Sequence, residues 1–132
     1  MLAEQARQAS EARYRVLAQN YPNGMVLLFD RDLRFTLADG RGMVTFGFTK
    51  ETIEGKTLAE VVSADAYEAL EARYHAALAG RPQAFELELG EHVYATQVLP
   101  IIDAQGIVQS GMVVTQDVTD RKNAERALQR TA

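Results

Sequence analysis

From Leu2 to about Asn20, Leu2, Ala6, Ala9, Arg13, Val16 and Leu17 recur at helical spacing in an Ala-, Glu-, Gln- and Arg-rich stretch, which predicts an amphipathic helix. The turn formers Asn20-Tyr21-Pro22-Asn23-Gly24 end it. Met25 to Phe29 is a short apolar run, Asp30-Arg31-Asp32 a tight turn, and Leu33 to Leu37 alternates, so two paired strands are expected. After Asp39-Gly40-Arg41-Gly42 the chain breaks into small helices over 43–48 and 50–54, with Thr49 as a cap and Gly55 as a stop. Ser63 caps a longer helix whose Tyr67, Leu70, Tyr74, Ala77 and Leu78 share one face, and Gly80 terminates it. Three strands follow, with Phe85, Leu87 and Leu89 alternating with Glu86 and Glu88, then 92–102, then 107–118.

The last strand has apolar residues on both alternating sets, Val108, Met112 and Val114 against Ile107, Gly111 and Val113. Neither face reads as wet, so the outer face needs a cover, either the N-terminal helix through Val16 and Leu17 or a second subunit. Thr119 to Ala132 returns to helical composition with Ala124, Ala127, Leu128 and Thr131 on one stripe, and is too short to stand alone. The expected organisation is an N-terminal helix over 1–20, a core over 21–118 and an exit helix over 119–132.

Composition narrows the function. With 47% hydrophobic and 24% charged residues in 132, the chain reads as one globular α+β domain. The net charge of −4 with scattered Lys and Arg gives no footprint for nucleic acid. No apolar leader and no apolar run of membrane length occurs, which points to a cytoplasmic protein outside the membrane. The absence of cysteine excludes disulfides, thiolate chemistry and any chromophore linked through cysteine.

The element order and the run Asp117-Val118-Thr119-Asp120-Arg121-Lys122-Asn123-Ala124-Glu125 resemble the PAS family, whose last strand commonly runs into an Asp-Ile-Thr-x-Arg-Lys-x-Ala-Glu junction. Phe29 to Arg34, Gly47-Phe48 with Thr49 to Lys56, and Pro100 to Asp103 with Gly106 extend the likeness over about 13–128. Asp39 stands where many relatives carry Asn, and it accepts but cannot donate a hydrogen bond. The resemblance implies a five-stranded antiparallel sheet with short helices on one face and flanking terminal helices. It also implies that Asp117, Thr119 and Arg121 couple sheet to exit helix. Thr119 is expected to cap that helix, and Asp117 to sit four residues before Arg121 and fix strand to helix. The plainer reading is that they only end a strand and begin a helix.

The resemblance further implies a cavity between sheet and helices. By strand alternation its lining is Phe85, Leu87, Tyr94, Thr96, Val98, Val113 and Thr115, with Met43, Phe46, Tyr67, Leu70 and Tyr74 approaching from the helices. Such a lining suits a small apolar organic ligand, unless the side chains simply fill the space. His75 is the one candidate haem ligand, but its helical phase places it with Glu71 on the solvent side, and His92 falls at a hairpin. The cofactor is therefore unknown, with covalent flavin excluded and noncovalent flavin lacking a motif.

The expected role is a sensory module that binds a ligand, forms a homodimer with Met112, Val114 and Leu128 at the paired faces, and is linked to a histidine kinase, a cyclic-dinucleotide enzyme or a transcription regulator. The alternatives are a ligand-free dimerisation module, a haem gas sensor and, last, a small α+β enzyme. Against the last, no nucleophile elbow, phosphate loop or metal cluster is present.

Overall fold

The computed structural model describes residues 12, 15–17 and 23–131, apart from the side chains of Thr45, Phe46, Leu89 and Thr131. Five strands, β1 (Gly24–Asp30), β2 (Phe35–Asp39), β3 (Gln83–Leu89), β4 (His92–Ile102) and β5 (Val108–Asp117), form one antiparallel sheet in the order β2-β1-β5-β4-β3. Between β2 and β3 run α1 (Met43–Phe46), α2 (Lys50–Ile53), α3 (Leu58–Val61) and α4 (Ala64–Leu78), and α5 (Thr119–Thr131) leaves the last strand. Apart from 12 and 15–17, which are helical, the expected N-terminal helix lies outside the described residues.

Local chemistry accounts for the boundaries. The Ser63 hydroxyl accepts from the Ala66 N–H at 3.3 Å and starts α4, which ends before Gly80 at φ +93°. Leu70, Tyr74, Ala77 and Leu78 are its buried stripe, facing the sheet. Two aspartates build two hairpins in the same way. Asp30 Oδ1 accepts from the N–H groups of Asp32 and Arg34, and Asp103 Oδ1 from those of Gln105 and Ile107.

Three local features depart from the sequence pattern. The second strand begins at Phe35, because Leu33 takes a left-handed turn conformation (φ +60°) while its side chain stays buried. A four-residue helix, α3, forms at 58–61 where the pattern indicates none; Glu60 accepts from the Thr57 N–H at 3.0 Å and caps it. Val108 packs with the main core instead of sharing a face with Met112, because a bulge at Ile101/Ile102 shifts the β4–β5 register and reverses the alternation beyond it.

The main core lies between the sheet and the helices, with Phe29, Phe35, Ile53, Leu58 and Val98 fully enclosed. Tyr74 stacks on Phe29 with ring centroids 4.5 Å apart and meets Phe35 edge-on at 6.2 Å. On the opposite face a smaller apolar cluster joins Leu28 and Leu37 to Val26, Ile101 and Met112. The free edge of β2 is closed by the segment after α2. Phe35 N–H donates to Lys56 O, Gly55 N–H to Phe35 O, and Ala38 N–H to Glu54 Oε2, all within 2.9 Å.

Candidate functional site

A cavity of about 120 Å³ opens inside the main core. Of the residues expected to line it, Leu70, Tyr74, Leu87, Tyr94, Thr96, Val113 and Thr115 do. Met25, Leu27, Phe35, Phe48, Ile53, Leu58, Val61, Val62 and Ala66 complete the wall. The remaining expected residues stand elsewhere. Val98 is fully enclosed by neighbours and Met43 is buried in the core without reaching the cavity. Tyr67 is half-buried at the core margin, one helical position away from Ala66, which takes the lining place. Phe85 is half-buried and packs against the main core beside the cavity, with the Arg73 guanidinium of α4 4.6 Å above its ring. Phe46 lies in α1, and its side chain is outside the described residues.

Four of the wall residues missed from sequence have a plain physical reason. Met25 to Phe29 is apolar throughout, so no alternation marks which side faces inward. Leu58 and Val61 come from α3, whose single turn is too short for a periodic signal.

Polar atoms in the wall are few and mostly committed. Thr96 and Thr115 sit directly opposite in the β4–β5 ladder, both buried, and their hydroxyls bond each other at 3.0 Å. The hydroxyl of Tyr74, 3% exposed, has no hydrogen-bond partner among the described residues. Burial pushes its ionisation well above the ordinary tyrosine range, so it remains a neutral donor. The volume is below the roughly 300–1,000 Å³ of pockets for drug-sized ligands and near that of a cavity of about 150 Å³ that holds benzene.

Tyr94 connects this cavity to the end of the sheet. It lines the cavity, pairs in register with Asp117, and stacks with the His92 ring at 6.0 Å. Burial and then the neighbouring Asp117 charge raise its pKa. At the junction, Asp117 Oδ1 accepts from the Thr119 N–H at 2.9 Å and from its hydroxyl at 2.5 Å, while Oδ2 lies 3.0 Å from His92 Nδ1. Thr119 Oγ1 in turn accepts from the Val93 N–H at 2.9 Å, and Val118 N–H donates to Val93 O. For Asp117, burial acts to raise the pKa, but the Thr119 bonds and the His92 contact outweigh it and hold the carboxyl below its ordinary range.

Two expectations for the junction are corrected by this geometry. The capping group is Asp117, because Thr119 is already the first helical residue and its hydroxyl reaches across to β4. Arg121 does not hold Asp117; it points outward and pairs with Glu125 at 3.7 Å, and His92 takes that place. His92 lies 25 residues away, and only the β4–β5 register brings it there. His75 is exposed and 3.6 Å from Glu71, on the solvent side of α4. Asp39 Oδ1 accepts from the Gly40 N–H, while Oδ2 faces Arg15 at 3.5 Å and Lys50 at 3.7 Å.

The family described as PAS fold matches residues 22–123, most of the chain. The chain belongs to the PAS family. Solved PAS-type structures share the architecture. The PAS domain of BvgS from Bordetella pertussis is 23% identical, with a TM-score of 0.66 over 93% of this chain and 96% of that one. A sensory box sensor histidine kinase from Vibrio cholerae is 16% identical, with a TM-score of 0.62 over 90% and 99%. A domain of an HTR-like protein from Haloarcula marismortui is 20% identical, with a TM-score of 0.58 over 74% and 99%. No curated protein matches the chain. As a PAS domain the chain has the fold of sensory modules, and the five-stranded sheet with its helices agrees with the fold class expected from sequence. No described helix is long and apolar enough to cross a membrane.

Proposed function

We propose that this PAS domain is a sensory module of a signal-transduction protein, whose cavity takes a compact, mostly apolar organic ligand of about benzene size and whose exit helix relays occupancy. The observation that carries the reading is Tyr94, a wall residue of the cavity that lies opposite Asp117, the residue holding Thr119 at the start of α5. A ligand that displaces the Tyr94 ring acts on the junction through one side chain. The Tyr74 hydroxyl is the free donor that favours a ligand with a single acceptor.

Residues 21–118 serve as the core in this reading and 119–132 as the connector to a linked effector, such as a histidine kinase, in the cytoplasm. Homodimer formation belongs to the same reading. The apolar cluster around Met112, Val114 at the rim of a groove on the outer face, and the exposed Val16, Leu17 and Leu128 supply apolar surface for a second copy.

The test is a benzene titration of the full chain followed by amide chemical shifts. Saturable shifts at Leu70, Tyr94 and Thr119, abolished by the cavity-filling Ala66→Trp, are the expected result. Shifts that stop at the cavity without reaching Thr119 would sink the relay. Absence of any saturable shift would sink the ligand and leave a dimerisation module with a filled core.

A further inference from the structure

Helix α5 is held against the sheet with little apolar burial. From Asp120 to Arg130 every residue except Lys122 is exposed. What lies between helix and sheet is charge. Lys122 Nζ is 3.1 Å from Glu86 Oε1, and Arg126 NH2 is 3.3 Å from Glu88 Oε1. The spacing is matched on both sides. Residues four apart in a helix share a face about 6 Å apart, and residues two apart in a strand share a face about 6.6 Å apart. Two successive cations on α5 therefore meet two successive carboxylates on the edge strand β3.

We infer that Lys122–Glu86 and Arg126–Glu88 form an electrostatic latch that docks the exit helix on β3, and that opening the latch swings the helix free about the Asp117–Thr119 junction. Exposed pairs are weak and screened by salt, so the docked and free arrangements lie close in free energy. The free helix keeps part of this pairing, because Glu125 lies 3.9 Å from Lys122 within α5 and offers that cation a substitute. The junction bonds do not involve the latch residues and persist in both arrangements. Leu87, between the two carboxylates on β3, points the other way and lines the cavity. A ligand that moves Leu87 moves both latch carboxylates; that last link rests on the ligand-binding reading, while the latch itself does not.

The chain has no cysteine, so two introduced ones carry unique spin labels. With Ala72→Cys on the exposed side of α4 and Gln129→Cys near the end of α5, electron–electron resonance distances report the helix position without any ligand. At low salt one docked distance is expected to dominate. Glu86→Lys with Glu88→Lys lowers the docked-to-free ratio by about two- to thirty-fold, the range set by two exposed ion pairs. Adding Lys122→Glu and Arg126→Glu restores it with the charges exchanged. A docked distance that survives the double reversal, or one that the fourfold exchange fails to recover, would overturn the latch. Neither outcome bears on whether the cavity binds benzene, so the two proposals fail separately.

Discussion

A methyl group added at Gly111 would lie 2.1 Å from the nearest carbon of the Phe29 ring, and that ring is fully buried and stacked on Tyr74. The ring has nowhere to move. Gly111→Ala is therefore expected to cost about 1–3 kcal/mol in urea denaturation, as overpacked cores do. Phe29→Leu in the same chain should recover part of that loss; strictly additive losses would mean that Gly111 acts through its backbone instead. At Asp117 the prediction concerns pH. Because its folded pKa is lowered, its stabilisation is complete above the ordinary carboxyl value of about 3.9 and is lost as pH falls through the lower folded value. Thermal melting should show wild type above Asp117→Asn at pH 7, with the gap closing below about pH 4. A gap that does not narrow at all as the pH falls below about 4 would show that charge is not the cause.

Among the elements, the β4–β5 ladder brings the two cavity hydroxyls together, and their energetics are separable. Thr96→Val alone strands the Thr115 hydroxyl in a buried site, at a cost of about 1–3 kcal/mol. Thr96→Val with Thr115→Val removes both partners at nearly constant shape and should recover most of that cost in a double-mutant cycle. A double-variant loss equal to the sum of the two single losses would show that the pair contributes nothing as a pair. The same ladder explains what could be read from sequence. Alternation and the Ser63 cap made the strands and α4 legible, and the junction motif marked Asp117 and Thr119. The bulge at Ile101/Ile102, the turn conformation of Leu33 and the single turn of α3 left no periodic trace. His92 was missed for a different reason, since its role depends on register and not on its neighbours in sequence.

At the scale of the whole molecule, the two ends of the sheet are treated differently. The β2 side is already occupied: residues 55–57 and the Glu54 carboxylate take up its outward hydrogen-bonding groups. The β3 side ends the sheet, and the side chains presented there are glutamates. The sheet is thus directional with respect to extension, in that a further strand, from a second chain or a misfolded neighbour, has one place to add. A second copy arriving there through its own β3 would set Glu86 and Glu88 against their own kind, so like charge resists pairing at the one edge left open. Reversing those charges preserves that protection. Neutralising them to Val would remove it, and that substitution, rather than any change at β2, is the one expected to let two copies join edge to edge through β3.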